Sequence, residues 1–324
     1  MRILFAGTPE VAIPTLEYLY NSRHDVIGVL TRRDAEIGRK RVLTPAPVAA
    51  RAEALGIPVI KSDRIDTPTR ELIGDLKPDL AVVVAYGALV GPQSLAVPRH
   101  GWINLHFSLL PAWRGAAPVQ YSILNGDTVG GASVFQLVPE LDAGPVYGTI
   151  ETPIREDTTS GALLDELSHS GAQLVSRVVD EIAAGTATAQ EQTGEVTLAP
   201  KLVLTDALIE WDAPAREVIR RINAMTPEPG AFSWLGTQRF KIGSARLESV
   251  ERSDAEPGQI TFERTGSDGA GKKVLVTARE GVIELVAVQA AGKKMMDARD
   301  WARGHFAGNS PISRLRSTPE DSTA

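Results

Sequence analysis

"PDLAVVVAYG" (residues 78–87) sets three consecutive valines behind Leu80 and Ala81, between Pro78 and Gly87. A continuous apolar, β-branched run of this length predicts a strand buried on both faces, as strands of parallel sheets are. The same kind of element recurs on either side. "RILFAG" ends at Gly7 and precedes a helix-like "EVAIPTLEYLYNS", then "DVIGVLT". "GIPVIKS" (56–62) follows the helical "PAPVAARAEAL", and "GWINLHFS" comes after the valine run. Short apolar strands alternating with helical segments predict βα units and an α/β architecture around a parallel sheet. Further on, "GASVFQLV" reads as a strand and "SGALLDELSHSGAQLVSRVVDEIAAG" as a long amphipathic helix ending at Gly185.

After that helix the pattern lapses: "TATAQEQTGEVTLAPKLVLTD" (186–206) reads as a linker. Beyond the helical "DAPAREVIRRINAM", the character changes. "GAFSWL", "QRFKIGSARLESV", "GQITFE", "KKVLVTA" and "GVIELVAVQ" are short strands set off by Gly, Pro and Asp turns, the pattern of a small all-β barrel. The division expected is an α/β domain over 1–189, a linker over 190–206, a small β-barrel over 207–310 and a disordered tail over 311–324. Two domains also suit a chain of 324 residues.

With 43% hydrophobic and 23% charged residues the chain can bury a sizeable core. It has no Cys, which removes disulfides, thiolate nucleophiles and Cys-ligated zinc together. The apolar run in "MRILFAGTPE" is too short for a signal peptide. The longest apolar stretch, "LAVVVAYGALVG", falls well short of the ~20 residues of a membrane span. A soluble cytoplasmic protein is expected. Net charge is −6 but uneven: residues 1–206 carry 17 Lys/Arg against 24 Asp/Glu, and residues 207–324 carry 17 against 16. An acidic total argues against a general nucleic-acid binder, though not against binding through one loop or face.

Chemistry concentrates in "INLHFSLLPAWRGAAPVQ" (Ile103–Gln120). Strand alternation puts the Asn104 and His106 side chains on one face, near the carboxyl end of a strand, where parallel sheets bind ligands. Asp142, in "VPELDAGPVYG", is held in a turn bracketed by Pro139 and Gly144–Pro145. An amide can donate to an oxyanion, an imidazole can move a proton near neutral pH, and a carboxylate favours the charged imidazole. Ser108 sits in no nucleophile elbow. The set suits acyl or formyl transfer in which the substrate supplies its own nucleophile. Taken singly, each piece also has a plain structural use: an N-x-H is usually structural, and an Asp in a Gly/Pro turn is usually a turn former. His100 and His106 lack ligand-like spacing, so no metal is expected. "AGTPE" has one glycine of the dinucleotide fingerprint, which gives NAD little support.

"NLHFSLLPAWRGAAPVQ" together with "LDAGPVYG" resembles the folate-dependent formyltransferases, and "FAGTPE", "VVVAYG", "WRGAAPVQ" and "AGKKMM" (291–296) are similar to the tRNA-directed members of that family. The resemblance runs from about residue 2 to 304. It implies a Rossmann-like catalytic domain followed by the OB-like barrel. The formyl donor would be 10-formyltetrahydrofolate and the acceptor the α-amine of methionine on initiator methionyl-tRNA. Asn104 would hold the oxyanion, His106 would stabilise the intermediate and move the proton, and Asp142 would orient and polarise His106. Ser108, Leu109, Leu110 and Pro111 would line the tetrahydrofolate site, with Val84, Tyr86 and Gly87 as another wall. A monomer is the family's habit.

"TRRDAEIGRKRVLTPAPV" (31–48) is a basic loop, for which the resemblance implies insertion into the tRNA acceptor stem. Arg39, Lys40 and Arg41 are its candidate contacts, and Lys201, Lys293 and Lys294 are further phosphate contacts, although "AGKK" also reads as a hairpin turn. The chain departs from the family's Pro-Ala-Gly-Arg-Gly-Lys-Lys: Glu36–Ile37 precede the Gly, Lys40 replaces the Gly after Arg39, and Phe107 stands where a Gly is common. Alternatives within the fold are a sugar-nucleotide N-formyltransferase, a glycinamide ribonucleotide formyltransferase, and a 10-formyltetrahydrofolate hydrolase. A non-catalytic RNA-binding module would leave Asn104, His106 and Asp142 unexplained.

Overall fold

Every residue of the Leu80–Val84 strand is buried. The reason is its position: Arg2–Gly7 pairs with it on one side and Trp102–His106 on the other, both parallel. The computed structural model describes residues 1–38, 40–251, 254–264, 272–307 and 313–320. It divides into two compact units. The first holds Met1–Pro118, Val129–Pro153 and Leu164–Pro200, and the second Val119–Thr128, Ile154–Leu163 and Lys201–Ala324.

In the first unit seven strands lie in the order Val146–Pro153, Val129–Gln136, Trp102–His106, Leu80–Val84, Arg2–Gly7, Asp25–Thr31, Val59–Lys61. The last five are mutually parallel. From Arg2–Gly7 the chain winds to one side through Asp25–Thr31 and Val59–Lys61, then crosses to the other with Leu80–Val84. At such a switch point the strand ends leave a crevice. Gly7 lies on its rim opposite Val84, and a Cβ there would meet the Val84 carbonyl oxygen and the Ala12 Cβ, each at 2.9 Å.

The Val129–Gln136 strand runs antiparallel to Trp102–His106, with Ile103 opposite Gln136 and His106 opposite Ser133. The loop after Gln136, which carries Asp142, therefore starts beside the amino end of the Trp102–His106 strand and has to double back to reach His106.

Residues 190–199, expected as linker, are bound to the first unit. Gln190 and Val146 exchange two backbone hydrogen bonds, and Leu198–Ala199 runs parallel to Arg114–Gly115. The Ala199 carbonyl accepts from the N–H groups of Ala116 and Ala117 at 2.8 and 3.1 Å. Gly115 has φ +128, and a Cβ on it would lie 2.5 Å from the Ala199 oxygen, so glycine is required there. This strap is held by backbone and amide groups, which leave no hydrophobic periodicity in the sequence.

The second unit is an antiparallel barrel-like sheet in the order Ile260–Arg264, Lys272–Thr277, Val282–Gln289, Gln238–Ser249, Phe232–Leu235, Leu315–Arg316. An isolated bridge between Gln259 and Arg314 joins the two ends of that order. The Ala215–Ala224 helix buries Val218, Ile219 and Ile222 in the core with Phe240, Val274 and Leu285. A helix the strand pattern did not foretell, Ala298–His305, is capped by Asp297, whose carboxylate accepts from the Arg299 N–H at 2.8 Å.

Within the tail expected to be disordered over 311–324, Leu315–Arg316 instead pairs with Phe232–Leu235. Leu315 is buried, its N–H donates to Gly258, and the buried Ser233 hydroxyl donates to the Arg316 carbonyl. A single inward leucine between two arginines is enough to seat two residues of edge strand, and it is too short a signal to read as a strand. Residues 311, 312 and 321–324 lie outside the described residues. Among the described residues no helix is long and apolar enough to cross a membrane.

Candidate active site

Asn104 and His106 emerge on the same face of the Trp102–His106 strand. Asn104 is half-buried, and its amide has no hydrogen-bond partner among the described residues. Its donors remain available to a substrate oxygen. His106 is 6% exposed. Its Nε2 lies 2.9 Å from the carbonyl of Trp113. A carbonyl can only accept, so the ring proton sits on Nε2 and Nδ1 is the nitrogen left to titrate. Nδ1 faces Asp142 Oδ2 at 3.8 Å, and the ring packs edge-on against Phe135. Burial pushes the His106 pKa below its ordinary value of 6.5; the Asp142 charge and the Trp113 carbonyl work against that shift. The imidazole is thus neutral at neutral pH, with a carboxylate facing the nitrogen that would receive a proton.

His106 is hydrogen-bonded directly to the Trp113 carbonyl, while Asp142 lies beyond direct hydrogen-bond reach. Trp113 is held with φ +61 by its N–H, which donates to Thr197 Oγ1 at 2.8 Å. Asp142 has φ +47, and its Oδ2 accepts the Gly115 N–H at 2.8 Å. Left-handed backbone at a non-glycine residue costs roughly 1–2 kcal/mol. Two such residues meet at this site, as strained backbone does at functional sites.

The family pattern described as "Formyl transferase" matches residues 1–179, and "Formyl transferase, C-terminal domain" matches residues 201–306. A methionyl-tRNA formyltransferase of Renibacterium salmoninarum is 57% identical over 94% of this chain and 96% of its own length. This chain belongs to the methionyl-tRNA formyltransferase family. Another relative of that name, from Arthrobacter sp., is 51% identical over 95% of this chain and 98% of its own. Among solved structures, an N-formyltransferase from Helicobacter canadensis, in complex with folinic acid and dTDP-3-aminofucose, superposes with TM-score 0.63. It is 17% identical and covers 90% of this chain and 99% of that one, so the likeness is one of fold.

The remaining expected site residues divide by burial. Ser108 is buried, with its hydroxyl donating to the Ala112 carbonyl at 2.6 Å and its own carbonyl accepting from Ser133. Leu109, Leu110 and Pro111 are half-buried, and the Leu110 N–H donates to Ser133 Oγ. Val84 and Tyr86 are core residues, the Tyr86 hydroxyl donating to the Ser62 carbonyl at 2.7 Å. Burial pushes that phenol up to about 12. Between and beside Val84 and Tyr86, Ala85 and Gly87 are exposed. No group of three or more His, Cys, Asp or Glu among the described residues could hold a metal.

The basic loop is a hairpin: Ala35–Ile37 pairs antiparallel with Val42–Thr44. Arg41, with φ +50, pairs with Glu36 at 2.5 Å, while Lys40 is exposed without an ion-pair partner among the described residues. Arg39 lies outside the described residues. Lys201, Lys293 and Lys294 are exposed in the second unit, the latter two in a turn where Lys293 N–H bonds back to Ala290. Three participants in the site gave no sequence signal as such: the Trp113 carbonyl, the Gly115 N–H and Gln192, described below. The first two sit inside the quoted "WRG", where attention to the backbone rather than the side chains would have found them.

Proposed function

We propose that this chain transfers the formyl group of 10-formyltetrahydrofolate to the α-amine of methionine on initiator methionyl-tRNA. The folate supplies the one-carbon unit when bound; the protein supplies position and electrostatics. Asn104 Nδ2–H donates to the oxygen that gains charge as the amine attacks the formyl carbon. His106 Nδ1 accepts the proton released by that amine and returns it to the departing folate nitrogen. Asp142 stabilises the imidazolium formed in between. The observation that supports this best is one pairing: a buried imidazole with Nδ1 facing a carboxylate, beside an amide with no partner among the described residues. Relatives of 51–57% identity bearing that name support the acceptor. The catalytic part corresponds to about 1–189 and the tRNA-binding part to about 207–310. Lys40, Arg41, Lys201, Lys293 and Lys294 are assigned to RNA phosphates through their exposure and charge.

The test is a transfer assay with 10-formyltetrahydrofolate and three acceptors: methionylated initiator tRNA, methionylated elongator tRNA and free methionine. Formylation of the initiator alone is expected, with a loss of roughly 10²–10⁴-fold in His106→Ala. Folate turnover without a tRNA product would overturn the acceptor and leave water or a small amine in its place.

A further inference from the structure

Gln192 ties together the two loops that carry the site. Its amide oxygen accepts from Arg114 Nη2 at 2.6 Å and Nε at 3.2 Å. Its amide nitrogen donates to the carbonyls of Asp142 at 2.7 Å and Gly144 at 2.8 Å. One half-buried side chain thereby uses two acceptor sites and two donors, the full capacity of an amide. The rest of the strap reinforces it: Thr197 accepts from the N–H groups of both Trp113 and Arg114, and Gln190 pairs with Val146 just beyond the Asp142 turn.

We infer that Gln192 is a positioning residue of the formyl-transfer site, holding the Asp142 turn against the Arg114 loop so that the carboxylate stays in front of His106 Nδ1. Its bearing on catalysis rests on the function proposed above. The Asp142 turn needs such a hold. It doubles back from the far end of its strand, adopts a costly φ, and has its carboxylate fastened by one N–H, that of Gly115. Both ends of the clamp are backbone carbonyls or a guanidinium, so Gln192 touches no reacting atom and acts through Asp142.

His106 itself reports the position of that carboxylate. Asp142 is the charged group acting on it. The Val129–Gln136 strand offers it Phe135 and Ser133, and the 108–117 loop offers the Trp113 carbonyl, none of them charged. A carboxylate that moves away ceases to hold the imidazolium, and the titration of His106 moves to lower pH.

The experiment is an NMR titration of the His106 ring in the full chain without substrate, comparing wild type, Asp142→Asn and Gln192→Met, with kinetics in parallel. Gln192→Met is expected to move the His106 titration to lower pH, in the direction of Asp142→Asn. It should lower kcat roughly tenfold and leave KM for the folate unchanged, as a misplaced group does. Gln192→Glu keeps the Arg114 partner but loses both donors, and is expected to behave like Gln192→Met. Should Gln192→Met lose its fold, Arg114→Met opens the same clamp from its other end and is read the same way. An unchanged His106 titration in the folded variant overturns the clamp, whatever happens to the rate. A wild-type protein that shows no formyl transfer, with the titration shift intact, overturns the proposed reaction and leaves the clamp standing.

Discussion

The loop over 108–117 and the hairpin over 35–44 both leave a parallel strand at its carboxyl end, on the same edge of the same sheet. They are built in opposite ways. In the first, polar groups turn inward: Ser108 to Ala112, Leu110 to Ser133, Trp113 and Arg114 to Thr197, Gly115 to Asp142. In the second, Ile37, Val42 and Leu43 stand 57–66% exposed beside Lys40 and Arg41. A group that must meet a transition state to within a fraction of an ångström is locked by its neighbours before substrate arrives. The exposed apolar and basic groups of the hairpin suit the contact with a large, charged partner proposed for it.

If that contrast holds, substitutions in the two regions should fail differently. After His106→Ala, the largest effect is expected at Asn104. Asn104→Ala should lower kcat by ~10²–10³, the usual loss for an oxyanion donor. Because the amide has no partner among the described residues, thermal unfolding should move little, within about 0.5 kcal/mol of stability. A large stability loss would make Asn104 a structural residue and break the contrast.

Asp142→Asn comes next, with a kcat loss on the order of 10². Its pH profile has a definite sign. His106 has to be neutral to accept a proton, so kcat/KM falls as pH drops through its pKa, already below 6.5 through burial. Asp142 raises that pKa; removing its charge lowers it further. The acid limb of kcat/KM should therefore move to lower pH in the variant, and a shift to higher pH would sink the assignment of His106 as base.

Smallest are the hairpin substitutions. Lys40→Ala and Arg41→Ala should each raise KM for tRNA a few-fold, leave kcat and KM for the folate unchanged, and flatten the salt dependence by about one unit of log–log slope per lost phosphate contact. Arg41 starts from an ion pair with Glu36, so its effect should be the weaker of the two. A fall in kcat would place the hairpin among the rigid parts of the site.

Much of this site could be read in the chain before the fold was known. Period-2 alternation along "WINLH" put Asn104 and His106 on one face because neighbouring residues in a strand have no other choice. The prolines and the glycine around Asp142 announced a rigid turn for a similarly local reason. The strap eluded the same treatment. "TATAQEQTGEVTLAP" has no apolar period, since Gln190, Gln192, Thr197 and Ala199 hold the loops through backbone and amide hydrogen bonds. The barrel-joining Leu315 and the Ala298–His305 helix were missed because each depends on a short stretch whose partners lie far away in the chain.

The sequence by itself determined the parallel core, the β-rich second part and the candidate groups for the chemistry, because burial and strand periodicity are written in runs of adjacent residues. The tertiary structure decided how those groups meet. The antiparallel Val129–Gln136 strand sent the Asp142 turn to the wrong end of the sheet, and the turn came back to 3.8 Å from His106. The carbonyl of Trp113 chose which imidazole nitrogen carries the proton, and the amide of Gln192 joined residues about fifty to eighty positions away. Such distances depend on strand order and on backbone groups common to every residue, and no local pattern of side chains encodes them.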